Sequence, residues 1–266
     1  MSTASGIIEA RSSGRGRVGR KISLEKRAEI GRQKRARTRE KMLEAAFLLL
    51  GREDGRSTRI EEICKEAKVA RGTFYNYFSS VEELLSALTF DISHDFNLAV
   101  RAIIRTVPAG ALRCSFALRY YMHRTREDPA WGWAMVNLSA GGPIFGEETA
   151  RYGIEAVIEG MVTEQFHAGS AQLAYDLMHG ATLAGMITQL RSEQPDDYPE
   201  QMVTLIMRGL GVSESLVERC IRTELPEPES FVRQFGQSPA KGFGDMAGLT
   251  LLGEGLPPRF GEDSPD

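Results

Sequence analysis

No apolar run in the 266 residues approaches the ~20 that a membrane-spanning helix requires. The most apolar stretch, residues 174–190, is interrupted by Asp176, His179 and Gln189. The N-terminus lacks the apolar core of a secretory signal, because Met1–Gly19 is rich in Ser, Gly and Arg. Cysteine is scarce: Cys64, Cys114 and Cys220 are odd in number and far apart, which argues against a disulfide framework or a zinc knuckle. A reducing, cytoplasmic setting with no membrane partner is therefore expected. Catalytic signatures are missing too, with no Gly-x-Ser-x-Gly elbow, no phosphate-binding glycine loop and no His-Glu-x-x-His. The four histidines, His94, His123, His167 and His179, are not spaced as a metal site. The expectation is a non-enzyme without cofactor or metal. No strand-period segment and no internal repeat stands out either, so the fold class expected is all-α.

What the chain does have is charge sorted by position. Residues 1–41 carry thirteen Lys/Arg and four Asp/Glu, a net of +9. The remainder carries 20 basic and 32 acidic residues, a net of -12, which the overall value of -3 conceals. A block of one sign at one end suits contact with a polyanion. A solubilising tail is the plainer alternative, and the capped, patterned helices over residues 37–88 decide against it.

Hydrophobic spacing divides the chain into four parts. Residues 1–36 read as a flexible basic arm, although Ser23 is placed to cap a charged helix from Leu24. Residues 37–88 hold a first helix, Arg37–Leu50, with Leu43, Ala46, Phe47 and Leu50 on one face. Thr58-Arg59-Ile60-Glu61 reads as a capping box opening a short helix, and a second short helix is expected over Ala70–Phe78. Ser80-Val81-Glu82-Glu83 is another capping box, opening a long helix to about Thr106. Beyond Pro108 the spacing gives helices at roughly 109–126, 129–138, 148–167, 171–192, 198–210 and 213–224. Residues 226–266 hold six Pro and seven Gly and read as an irregular tail, in which the short apolar stretch Leu249–Leu252 stands out.

The second short helix carries the strongest pattern. With Phe74 placed inward, Ala70 and Phe78 fall on the same side while Gly72 and Asn76 point away, flanked by Thr73 and Tyr75. A small, polar outward face is what a recognition helix needs to enter the major groove. Gly72 lets backbone approach the duplex, and Asn76 suits a bidentate pair with adenine. Arg71 suits guanine or phosphate; Tyr75, Tyr77 and Thr58 suit phosphates. In the arm, Arg15 and Arg17 sit in a Gly-Arg-Gly-Arg run compatible with an A·T-rich minor groove, though general phosphate attraction explains them as well.

From Arg37 to Leu88 the sequence resembles the tetracycline-repressor (TetR) family of regulators. The likeness lies in Thr38–Ala46, Ile60–Ile63, the run Val69-Ala70-Arg71-Gly72-Thr73-Phe74-Tyr75-Asn76-Tyr77-Phe78, and Glu82-Glu83-Leu84. It implies a three-helix helix-turn-helix domain, a variable ligand-binding and dimerisation domain over residues 89–225, and repression as the usual action. Three departures stand out: Lys68 where the family favours glycine, Ala70 where a capping Ser or Thr is usual, and Val81 in place of lysine.

For the second domain, Gly180, Ala181, Ala184 and Gly185, followed by Met202, Leu205, Ile206 and Gly209, resemble the helix pair with which this family dimerises. A dimer also suits the reading of enough bases for a useful operator in double-stranded DNA. Phe96, Tyr121, Trp131, Met135, Asn137 and Met178 are the residues expected to line a pocket for a small apolar or aromatic effector. An architectural DNA-binding protein acting through the arm is the rival reading, but it leaves the capped helix-turn-helix without a purpose. A helical enzyme is a more distant one.

Overall fold

The computed structural model describes residues 24–226, and all regular structure among them is helical. The first helix, α1, runs Leu24–Leu50. The arm expected over residues 1–36 is therefore helical from Leu24 onward. This half has no buried face; it consists of good helix formers stitched locally, with Glu29 accepting from Arg32 Nε at 3.1 Å and from Gln33 at 2.9 Å. From Met42 the same helix turns amphipathic and buries Met42, Leu43, Ala46, Phe47 and Leu50.

After a single 3-10 turn at Gly55–Ser57, α2 spans Ile60–Glu66. Its cap lies one residue later than expected. The Arg59 amide donates to Glu62 Oε2 at 2.8 Å, so Thr58 and Glu61 are not the capping pair. Lys68 takes φ +56 in the next turn, where a non-glycine residue carries strain of roughly 1–2 kcal/mol. Helix α3 is regular only over Arg71–Phe74, and Ala70 at its start offers no capping side chain. The expected helix to Phe78 tightens into i→i+3 turns, Asn76 N to Thr73 O and Tyr77 N to Phe74 O. The chain then extends at Ser80 to cap the next helix, which ends any continuation.

That helix, α4, covers Val81–Ile104. Ser80 Oγ accepts from the Glu83 amide at 3.2 Å, while the Glu83 carboxylate reaches past Ser80 to the amide and hydroxyl of Ser79, both at 2.6 Å. Six further helices complete the described chain: α5 Ala111–Glu127, α6 Pro129–Leu138, α7 Glu147–Val162, α8 Ala171–Arg191, α9 Tyr198–Gly209 and α10 Glu214–Arg222. Asp128 caps α6 through the Trp131 amide, and Ser170 caps α8 through the Leu173 amide. Helix α7 stops five residues short of expectation. The Gly160 carbonyl collects the amides of both Gln165 and Phe166, and the Phe166 ring folds where a Cβ on Gly160 would lie. Only glycine permits that closure.

Helix α5 is the axis of the second domain and packs on α4 and on α6 through α10. Its buried Arg119 donates to Glu200 Oε1 of α9 at 2.9 Å and to the carbonyls of Cys220 and Thr223 at the end of α10. His123 reaches the same Glu200 oxygen at 3.0 Å. Burial would raise the Glu200 carboxyl, but the bonds from His123 and Arg119 outweigh it and hold the group at about 2. All three cysteines are reduced and buried, and burial pushes the Cys114 and Cys220 thiols to about 12 and about 11. No helix among the described residues is long and apolar enough to cross a membrane. Nor does any group of three or more His, Cys, Asp or Glu among them have the arrangement of a metal site.

Candidate nucleic-acid interface and sensing core

Phe74 and Phe78 are fully buried against α1 and α2, their rings 5.6 Å apart. With those two fixed inward, Arg71, Gly72, Tyr75 and Asn76 are exposed, and Thr73 and Tyr77 are half-buried. A Cβ on Gly72 would meet nothing within 4 Å, so the start of α3 is bare backbone open to a large partner. Arg71 is held by Glu61 of α2, Nη1 to Oε1 at 2.6 Å, and its guanidinium also bonds Tyr75. The pair is solvent-exposed, so a phosphate can compete for the arginine at little cost. Thr58 stands half-buried just before α2. Arg15 and Arg17 lie outside the described residues.

One basic side chain on this face was not singled out from sequence. Arg35 donates from Nη2 to the Asn76 carbonyl at 3.0 Å and lies over the Tyr77 ring at 5.3 Å. Arg39 sits over Phe78 at the same distance. The exposed half of α1 thus leaves the domain directly beside the recognition segment. Nothing local marks Arg35 among its many basic neighbours, and its partner is 41 residues away.

In the second domain the expected lining residues divide. Phe96, Tyr121, Trp131, Met135 and Met178 are all buried, on α4, α5, α6 and α8, and the three aromatic rings among them meet. Phe96 packs edge-on to Tyr121 at 4.8 Å and tilts against Trp131 at 5.2 Å, while Phe145 closes on Tyr121 at 4.9 Å. Trp131 Nε1 donates to the Ile92 carbonyl at 3.0 Å, tying α6 to α4. Asn137 departs from expectation. Its amide donates to the carbonyls of Leu50 and Arg52, both at 2.8 Å, because those groups end α1 without helical partners. It joins the two domains and does not face the aromatic cluster.

A polar seam runs along that cluster. Tyr121 donates to Asn97 Oδ1 at 2.9 Å and lies 3.0 Å from Thr149 Oγ1; Asn97 also donates to Thr149 and to Glu148. Glu148 meets His94 Nδ1 at 3.0 Å and accepts from the Tyr152 hydroxyl at 3.1 Å. Burial raises the Tyr121 hydroxyl well above the ordinary phenol range. Beside the seam, His179 stacks on Tyr175 at 4.1 Å and faces Gly153, where any Cβ would strike its ring. Burial lowers the His179 imidazole to about 4, so it is neutral at pH 7. Its Nδ1 lies 3.2 Å from the Tyr175 carbonyl, an acceptor, so Nδ1 holds the proton. The buried Tyr175 hydroxyl has no hydrogen-bond partner among the described residues. Asn97, Glu148, Thr149 and Tyr175 carry no sequence signal of their own; only the packing of α4, α7 and α8 brings them together.

The apolar helix pair also divides. Leu173, Leu177, Gly180 and Ala184 form one surface stripe of α8, and Leu205 and Gly209 are exposed on α9. Gly185 and Ile206 face inward, Gly185 against Met122 and Met202.

Residues 42–88 match the family model of bacterial regulatory proteins of the tetR family. No curated protein matches the chain in sequence. Among solved structures, RolR in complex with resorcinol is similar over 74% of this chain and 99% of its own, with 25% identity and a TM-score of 0.60. A protein from Shewanella sp. PV-4 described as a tetR family transcription regulator is similar in fold over 65% and 97%, at 19% identity and a TM-score of 0.53. FadR from Bacillus subtilis, solved with stearoyl-CoA, is similar in fold over 64% and 96%, at 16% identity and a TM-score of 0.50. With a DNA-binding unit of the tetR family over residues 42–88 and an all-helical domain behind it, the chain is similar in that unit and in fold to the bacterial transcriptional regulators of the TetR family.

Proposed function

We propose that this regulator is a cytoplasmic repressor that binds an inverted-repeat operator as a two-fold dimer and is released by a small, uncharged aromatic molecule. The observation that carries the DNA reading is the exposed row Arg71, Gly72, Tyr75 and Asn76, with Thr73 half-buried beside it, set on a core by the buried Phe74 and Phe78. Asn76 reads a base; Arg71, Tyr75, Tyr77 and Thr58 hold phosphates, and Arg15 and Arg17 add attraction from the arm. One such segment reads too few bases for a useful site, and the exposed Leu173, Leu177, Ala184 and Leu205, with half-buried Gly180 among them, supply the face through which two copies join.

The effector reading rests on the aromatic cluster and its seam. Phe96, Tyr121, Trp131, Met135 and Met178 offer ring and thioether surfaces, while the Tyr175 hydroxyl and neutral His179 offer hydrogen bonds. The carboxylate of Glu148 disfavours an anionic ligand and accepts from a hydroxyl. A phenol-sized neutral molecule fits this chemistry, in keeping with the resorcinol bound by RolR. Helix α4 carries the response. It begins three residues after Phe78 and contributes Phe96 to the aromatic cluster and Asn97 to the seam, so its tilt sets the separation of the two recognition segments.

The test has two parts. Selection from a random duplex pool with the full-length protein should return an inverted repeat bound by two protomers; recovery of sequence-indifferent DNA would overturn the reading. Titration with resorcinol and related phenols, followed by tryptophan fluorescence, should show weaker binding when that duplex is present, because coupling is reciprocal. A full switch from 1:99 to 99:1 needs ~5.5 kcal/mol of differential affinity. Equal affinity with and without DNA would exclude the switch for that compound.

A further inference from the structure

The solvent-exposed half of α1 sorts its charges by face. At roughly 100° per residue, Arg27, Lys34, Arg37 and Lys41 fall within an arc of about 80°, whereas Glu25, Glu29 and Glu40 lie together on the adjoining side. All four cations are exposed, and none is ion-paired to another described residue. The stripe is about 21 Å long at 1.5 Å per residue. Its position is as telling as its charge. Arg35, which leaves the same stretch of helix about 100° round from Lys34 and so lies off the stripe, is hydrogen-bonded to the Asn76 carbonyl, and this anchors the helix that carries the stripe beside the segment that enters the groove.

We propose that this half of α1 is a rigid arm that lies along the phosphate backbone flanking each operator half-site. The proposal rests on the DNA-binding role of α3. From Arg35 back to Leu24 the helix reaches about 16 Å beyond the recognition segment, equivalent to roughly five base pairs at 3.4 Å each. The protein therefore grips DNA outside the bases it reads, and affinity depends on flank length without depending on flank sequence. Charge complementarity selects this occupant. The other acceptor available is the acidic remainder of a second copy, net -12 beyond residue 41.

Gly31 provides the sharpest handle. It lies mid-helix with nothing within 4 Å of the position a Cβ would occupy, so substitution there alters helix stiffness and nothing else nearby. The experiment compares full-length protein on two duplexes: the selected inverted repeat trimmed to its ends, and the same repeat with about six base pairs of arbitrary sequence on each side. Wild type should bind the longer duplex at least tenfold more tightly. R27Q/K34Q/R37Q should erase that advantage and lower the salt slope on the long duplex. The limit is ~5 for six charges per dimer at ~0.9 each. G31A, which stiffens the helix, should enlarge the advantage. G31P, which keeps every charge but breaks the rod, should abolish it; circular dichroism would confirm that both variants fold. An unchanged advantage in G31P means a flexible tether suffices, and the rigid arm is wrong. Equal binding of both duplexes by wild type overturns the proposal while leaving specific recognition intact. Tighter DNA binding by the triple variant, or altered mass at low salt, assigns the stripe to a second copy and refutes it as well. Absence of any selected sequence would instead fail the underlying reading.

Discussion

Replacement of Asn137 gives the most direct test of how the domains are joined. Its single amide nitrogen serves two carbonyls, Leu50 O and Arg52 O, at and just beyond the C-terminal end of α1. Each hydrogen bond contributes about 0.5–1.5 kcal/mol net, and the Arg52 carbonyl is near enough to solvent to find water once released. Asn137→Ala should therefore cost about 1–2 kcal/mol, or about 3–6 °C in Tm for a chain of this size. Asn137→Asp keeps the shape, removes both donors and sets a negative charge against two carbonyl oxygens. It should be worse than alanine by at least ~1 kcal/mol. Thermal unfolding of the three proteins at pH 7 decides the matter. If aspartate is tolerated as well as alanine, or if neither shifts Tm, the strut is not a structural tie. In the same variants, operator binding should be weakened less than effector release, because α3 is untouched while the path from α6 to α1 is cut.

Three further outcomes are expected. Asn76→Ala should cost ~1–3 kcal/mol on the operator and relax preference at one position per half-site; a uniform loss across all duplexes would remove its base-reading role. Glu200 has a folded pKa of about 2, below its ordinary 4.5, so its contribution is complete above pH 4.5 and lost as pH falls toward 2. Urea titrations should accordingly show Glu200→Gln less stable than wild type by about 1–3 kcal/mol at pH 7, with the gap closing below pH 4.5; a gap independent of pH would refute the assignment. Leu205→Glu, on the exposed face of α9, should convert the proposed dimer to monomer in sedimentation equilibrium without lowering helix content, and an unchanged mass at micromolar concentration would move the interface elsewhere.

Local chemistry made much of this fold readable. Ser80 was placed as a cap by the carboxylate three residues on, and Gly72 and Asn76 as outward residues by the buried spacing of Phe74 and Phe78. The exposed half of α1 was harder, because a helix that is polar all round has no hydrophobic period to announce it. Its evidence is the Glu29–Arg32 and Glu29–Gln33 pairs, which an unstructured basic arm would not need. The sensing core was readable in composition but not in role. Asn137 stands two residues from Met135 and looked like a polar wall residue, yet its partners lie 87 and 85 residues earlier in the chain. Tyr175 and Glu148 gain their meaning from α7 and α8 packing on α4, a long-range arrangement that no spacing rule encodes.

The three buried cysteines turn the molecule into its own reporter of partial opening. A thiol reacts only as thiolate and only when reached, so Cys114 and Cys220, held near 12 and 11, are inert to oxidants while the fold is closed. Neither of these two thiols is therefore placed to sense peroxide or thiol exchange in the closed fold. Modification by a bulky reagent has to wait for breathing of the surrounding helices, and its rate measures how often each region breathes. Cys64 samples the DNA-binding unit, whereas Cys114 and Cys220 sample the packing of α5 against α10. Rates taken with and without DNA would separate the loosening of one domain from that of the other, using side chains the protein already carries.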